Sequence, residues 1–162
     1  MMVANLQRAR VKTSGRLRLP GVVVLVAITL LGLDPAWATR LISDDEAKLP
    51  PPKGAVVADR RGILRSPKIE VISPAQPTRS PVHLQLKFEA FGGARIDVDS
   101  VKITFLRTPN VDLTPRVKAY LQPSGVDMPD AEVPSGDFLV RVDLKDSDGR
   151  IGSTIFALKI AP

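Results

Sequence analysis

The stretch Val-His-Leu-Gln-Leu-Lys-Phe-Glu at residues 82–89 decides the fold class of this chain. Apolar and polar side chains alternate along it, with Val82, Leu84, Leu86 and Phe88 on one face and His83, Gln85, Lys87 and Glu89 on the other. A period of two predicts a β-strand with one buried face, because successive side chains of a strand point to opposite sides of the sheet. Gly92-Gly93 ends this run.

The same alternation recurs on both sides of this strand. It predicts strands at 68–73, 100–107, 138–145 and 154–160 and a short strand at 131–133. Asp148-Gly149 supplies the hairpin turn before the last strand. Thr114-Pro115 predicts a short helix with Thr114 as its N-cap. Because no βαβ rhythm is present, we expect an all-β fold: a single antiparallel β-sandwich with one short helix.

The predicted domain carries a set of motifs at its strand starts and turns. They are Ile69-Glu70-Val71-Ile72-Ser73-Pro74, Pro81-Val82, Ile96-Asp97, Ser100-Val101-Lys102, Val142-Asp143-Leu144-Lys145-Asp146-Ser147-Asp148-Gly149-Arg150 and Phe156-x-Leu158. Together they resemble bacterial immunoglobulin-like domains of the fibronectin type III kind over residues 68–161. The resemblance implies an immunoglobulin-like sandwich that serves as a spacer, an adhesive unit or an accessory domain beside an enzyme. The chain has no inter-sheet cysteine pair and no core tryptophan, since Trp37 precedes the domain.

Residues 1–38 have the pattern of a signal peptide. Five basic residues precede an apolar run at 21–33, and Ala36-Trp37-Ala38 has the small residues that signal peptidase recognises. The run is too short for a permanent membrane anchor, which needs roughly 18 to 20 apolar residues. We therefore expect cleavage after Ala38 and a periplasmic or secreted protein.

Most of the net positive charge of the chain, +4 of +6, belongs to this signal, which has five basic residues and one acidic residue. The whole chain carries a net charge of +6, but residues 68–162 contain twelve basic and twelve acidic residues. A nucleic-acid-binding surface needs clustered cations, so the sequence predicts no nucleic-acid partner. The complete absence of cysteine excludes a disulfide framework and a lipidated cysteine at the cleavage site.

Residues 39–67 are predicted to be a Pro-rich flexible linker, since few large apolar side chains and the run Pro50-Pro51-Pro52 give little to bury. Within it, Ser43-Asp44-Asp45-Glu46 fits a capping box. This motif indicates either a short helical turn or a docking peptide for a partner. The apolar stretch 54–58 is suited to pairing along a sheet edge.

The sequence offers few groups for chemistry, and we predict no catalytic, metal or cofactor residues. Calcium would use Asp97, Asp99, Asp143, Asp146 and Asp148, but their spacing does not fit an EF-hand loop. Copper would have only His83 and Met128 in the mature chain. An enzyme would rely on Ser100 with Lys102 or on Asp97 with Asp99, and all of these are equally typical of a solvent-facing strand.

Four large apolar residues fall on the nominally outer strand faces: Leu106, Leu139, Ile151 and Ile155. Such residues are covered either by a partner or by other parts of the same chain. The predicted function is a non-catalytic periplasmic or secreted immunoglobulin-like module that binds an unidentified protein or cell-envelope component. The alternatives are a small periplasmic metal-binding carrier and a hydrolase-like enzyme.

Overall fold

The computed structural model describes residues 38–54 and 65–162, and β-strands predominate there. The elements are β1 (Thr39–Arg40), α1 (Asp44–Ala47), β2 (Lys68–Ser73), β3 (Val82–Glu89), β4 (Ile96–Phe105), β5 (Val111–Asp112), α2 (Thr114–Val117), a 3₁₀ turn (Lys118–Tyr120), β6 (Leu121–Gln122), β7 (Gly125–Glu132), β8 (Gly136–Asp146) and β9 (Ile151–Ile160). The all-β prediction is therefore confirmed. The predicted signal peptide lies outside the described residues, apart from Ala38.

The strands form two sheets. In the first sheet the order is β1-β7-β3-β2, with β6 also paired to β7, and in the second it is β5-β4-β8-β9. Neighbouring strands are antiparallel except β1 and β7, which pair in parallel.

The core lies between the inner faces of the two sheets, as the alternation predicted. The four apolar residues of β3 are 2 to 5% exposed, and Phe138, Val140, Val142 and Leu144 of β8 are 0 to 2% exposed. Phe105 and Phe138 meet edge to face, with ring centroids 5.6 Å apart. In both strands every second side chain is buried, as expected for a strand with one face toward the core.

Four predicted strands have different bounds in the structure: β4, β7 and β9, and also β8, which runs from Gly136 to Asp146 where 138–145 was predicted. β4 starts at Ile96, and its register with β8 shifts between Asp97 and Lys102, which interrupts the alternation. β7 runs from Gly125 to Glu132 although only 131–133 was predicted. Its register with β3 shifts between Val82 and Leu84, opposite the segment that contains Pro129. Proline is tolerated at such irregularities but obscures a strand in the sequence. β9 begins three residues before the predicted strand.

The helix at Thr114 exists, but Thr114 does not cap it. The N-cap is Leu113, and no side chain caps it. The Thr114 hydroxyl instead accepts a hydrogen bond from the Ile103 amide at 3.0 Å, and Asp112 Oδ1 accepts one from the Thr114 amide at 2.9 Å. Thr114 thus ties the start of the helix to β4.

The first part of the predicted linker packs against the sheets, so the flexible-linker prediction requires correction there. We name residues 39–52 the strap. β1 pairs with the β7 edge of the first sheet, whereas the carbonyl of Pro50 accepts a hydrogen bond from the Thr108 amide, just beyond β4 of the second sheet. Leu41 and Ile42 are each 1% exposed. The segment as a whole has few large apolar side chains, but these two are buried in the core and hold it in place.

The capping box in the strap forms as predicted. Ser43 Oγ accepts from the Glu46 amide, and Glu46 Oε2 accepts from the Ser43 amide. Glu46 also binds Arg116 of α2, so the motif docks on its own domain. The predicted edge pairing of 54–58 falls almost wholly outside the described residues.

Candidate functional site

The β3–β4 connection (residues 90–95) and the β8–β9 turn (residues 147–150) come together at one end of the sheets, which we name the loop end. They meet because Ile96 of β4 pairs with Asp146 of β8. The Ser147 amide donates to the Arg95 carbonyl at 2.7 Å, and the Arg95 amide donates to Ser147 Oγ at 3.2 Å. Each connection therefore fixes the other.

A buried carboxylate organises the β8–β9 turn. The side chain of Asp146 is 0% exposed and accepts hydrogen bonds from the amides of Asp148 and Arg150 and from Arg150 Nε at 2.8 Å. Burial raises the pKa of Asp146, but the hydrogen bonds from Arg150 outweigh it, so this pKa lies below its usual value. The carboxylate stays ionised and keeps its donors.

Arg150 extends this network to the neighbouring loop. Its Nη2 donates to Asp148 Oδ2 at 2.6 Å and to the Phe91 carbonyl at 3.0 Å. Its guanidinium carbon lies 5.8 Å from the centroid of the Phe91 ring, within the range of a cation–π contact. The backbone beside Phe91 is thus held by a side chain that is itself fixed by Asp146.

Two large apolar side chains at the loop end face solvent. Phe91 is 46% exposed, and Ile151, which follows Arg150, is 61% exposed. Gly92 and Gly93 turn the chain away from Phe91 with φ of 68° and 82°, a conformation that favours glycine. Rigidly held aromatic, arginine and aliphatic groups are suited to protein recognition, because little side-chain entropy is lost on binding.

The predicted patch of four apolar residues is only partly exposed. Leu106 is 6% exposed, so it does not belong to a solvent-facing patch. Residues 103–106 are all buried, because β5 pairs with the end of β4 and the strap lies against Thr108. Leu139 and Ile155 are half-buried, and only Ile151 is freely exposed. Ile151 was found from the sequence, whereas Phe91 was missed.

Four of the five carboxylates considered for calcium already have partners among the described residues. Asp143 binds Arg141 and the Ser153 hydroxyl, Asp146 and Asp148 bind Arg150, and Asp97 accepts from the Asp99 amide. Within residues 38–54 and 65–162, no group of three or more His, Cys, Asp or Glu side chains is placed to hold a metal ion.

The two residues considered for copper point to opposite sides of the first sheet. His83 is on the outer face, where its Nε2 pairs with Asp127 Oδ1. Met128 is 0% exposed and lies in the core opposite Leu84. One ion cannot reach both side chains without unpacking the sheet.

The Ser100 hydroxyl has a structural role. It donates to the Asp97 carbonyl at 2.6 Å and accepts from the Lys145 amide at 2.8 Å. These bonds satisfy the strand backbone where the β4–β8 register shifts. The hydroxyl is bonded to backbone groups instead of to a base that would activate it.

A shallow pocket of about 210 Å³ lies on the outer face of the first sheet. Its lining includes Ile72, Gln85, Lys87, Gln122 and Asp127. These side chains offer hydrogen bonds and one apolar contact to a bound molecule. The lining also includes Ser124.

None of the helices in the described part of the chain is both long and apolar enough to cross a membrane. No family model, curated protein or solved structure matches the chain. Any conclusion about function must therefore come from the arrangement of its own residues.

Proposed function

We propose that this chain is an exported, non-catalytic immunoglobulin-like module that binds a protein or an envelope component through its loop end. The main support for this proposal is that Phe91 and Ile151 are exposed beside the Asp146–Arg150 network. Contact of an aromatic ring with water is unfavourable in free energy, and a partner that covers the ring removes this contact. The fixed loops present the ring in one orientation.

The strand order supports the immunoglobulin-like part of the proposal. Without the short β1 and β6, strands β2-β3-β7 form one sheet and β5-β4-β8-β9 the other. The chain passes between the sheets from β3 to β4, from β5 to β6 and from β7 to β8, as in Greek-key sandwiches. The loop end then consists of two connections that lie at the same end of a rigid scaffold, a common location for binding residues.

Export is supported by the basic and apolar pattern of residues 1–38. Thr39, the residue that cleavage after Ala38 would leave as the N-terminus, pairs with Ala131 of β7 in the described part of the chain.

Replacing both Phe91 and Ile151 by serine tests the binding role. The double variant should lose capture of the partner from an extract of the exported fraction and keep its melting temperature, because both side chains face solvent. Ile72→Ser is the matched control, since Ile72 is 42% exposed on the other sheet. Retained capture by the double variant would contradict the proposal.

A further inference from the structure

We infer that the docked strap protects the Ala38–Thr39 bond, so that signal peptidase must cut this chain before the strap closes on the domain. The inference rests on the proposed export. It adds an order of events: a precursor that folds first keeps its signal peptide.

The residues on the carboxyl side of the bond are held by the sheet edge. Thr39 and Arg40 form β1, in parallel register with Ala131 and Glu132 of β7. The Thr39 hydroxyl lies 3.0 Å from the Tyr120 hydroxyl. A peptidase binds its substrate as an extended segment and needs this backbone for itself, so pairing with β7 competes with cleavage.

Fraying of Thr39 and Arg40 alone would not expose the bond. The amides of Leu41 and Ile42 both donate to the Glu132 carbonyl, at 2.9 and 3.3 Å, and both side chains are 1% exposed. Two extended residues span only about 7 Å. The body of the domain therefore stays close to the bond and blocks the approach of a peptidase unless Leu41 leaves its site.

Arg116 fastens the strap from a distant part of the chain. Its Nη1 and Nη2 each bind a Glu46 carboxylate oxygen at 2.7 Å, and Nη1 also donates to the Leu41 carbonyl at 2.8 Å. This fork joins the helical turn of the strap and the residue that anchors β1. Loss of Arg116 should increase the population of the open strap without changing the sequence around the bond.

The experiment compares cleavage of two substrates by purified signal peptidase in detergent micelles. One is the folded precursor of residues 1–162, and the other is a synthetic peptide of residues 16–44, which contains the site without the domain. The folded precursor should be cut at least about tenfold more slowly than the peptide, since cleavage follows the open population. Arg116→Gln should raise the precursor rate by about tenfold.

Arg141→Gln is the matched control, because Arg141 pairs with Asp143 on β8 and does not contact the strap. Its precursor should be cut at the wild-type rate. If Arg116→Gln fails to fold, as judged by its melting curve, Glu46→Gln removes the same fork from the other side. The peptide of residues 16–44 ends before Glu46, so the same unsubstituted peptide serves as the reference for this variant.

The outcomes separate this inference from the export proposal. A peptide that is not cut after Ala38 would overturn the export proposal and the inference with it. A peptide and a folded precursor that are cut at equal rates would overturn only the protection by the strap. Equal acceleration by Arg116→Gln and Arg141→Gln would also contradict the role of the strap.

Discussion

At the scale of single residues, the buried carboxylate of Asp146 holds the β8–β9 turn of the loop end in place. The sequence predicted a hairpin turn here from Asp-Ser-Asp-Gly, because these residues tolerate turn dihedrals. It gave no sign that the first aspartate would be buried and the second exposed. Arg150 binds both carboxylates, but Asp146 also pairs with Ile96 at the start of β4, which is distant in the sequence.

Asp146→Asn should lower the melting temperature by several degrees, whereas Asp148→Asn should change it by less than about 2 °C. The first substitution removes a buried charge that accepts three hydrogen bonds, and the second weakens a pair on the surface. Thermal unfolding monitored by circular dichroism gives both values. Equal effects of the two variants would refute this role for Asp146.

Glu46 gives the strap a defined dependence on pH. The hydrogen bond from Arg116 lowers the pKa of Glu46 from 4.5 to about 2. A carboxyl whose pKa is depressed by folding stabilises the protein above its unfolded pKa, and this stabilisation disappears as pH falls through its folded pKa. The strap contact should therefore be at full strength above about pH 5 and weaken progressively toward pH 2.

The matching prediction compares Glu46→Gln with the wild type between pH 2 and pH 7. The substitution should reduce the free energy of unfolding by about 2 kcal/mol at pH 7, and the difference should shrink below pH 4. Glu132→Gln is the control, because its pair with Arg40 is exposed. A difference that does not vary with pH would show that the ionised carboxylate contributes nothing.

Strands with an uninterrupted alternation could be predicted from the sequence. The bounds of β2 and β3 agree with the predicted 68–73 and 82–89, and the buried face of β8 is the predicted one. In β3 and β8 each residue type matches its environment, so local pattern and tertiary structure coincide, whereas β2 keeps its predicted bounds although Ile72 is exposed.

Substitutions at an inward-facing and an outward-facing residue of β8 test which face of the strand is buried. Val142→Asp should destabilise the domain by several kcal/mol, because Val142 is 0% exposed and its site has no partner for a carboxylate. Arg141→Ala should cost about 0.5 kcal/mol, since it removes only a partly exposed ion pair. Urea unfolding measures both. A milder effect at Val142 than at Arg141 would reverse the assignment of inner and outer faces.

Other elements could not be predicted, each for a physical reason. β7 contains Pro129 and begins at Gly125, where a Cβ would lie 1.9 Å from the Leu86 carbonyl oxygen. Glycine and proline weaken a strand pattern even where tertiary packing requires them. The capping box of the strap was visible, but its partner Arg116 lies 70 residues from Glu46 in the sequence. Phe91 was missed because it lies in a loop without periodicity.

At the scale of the whole molecule, the strap that packs on the sheets and the loop end proposed for recognition are built from different connections. The strap bridges the β7 edge of one sheet and the β4–β5 connection of the other, whereas the loop end is built from the β3–β4 and β8–β9 connections. The charges of residues 68–162 balance, so the net charge of this region favours neither acidic nor basic partners. Recognition is therefore expected to depend on shape and on the apolar surfaces of Phe91 and Ile151.

Site-specific photo-crosslinking in cells that express the exported protein tests the binding proposal most directly. A benzoylphenylalanine residue at position 91 should give a discrete adduct with one partner, since this side chain is exposed on fixed loops. The same residue at position 102, exposed on the outer face of β4, should give no such adduct. An adduct at position 102 but not at position 91, or no adduct at either, would contradict the account.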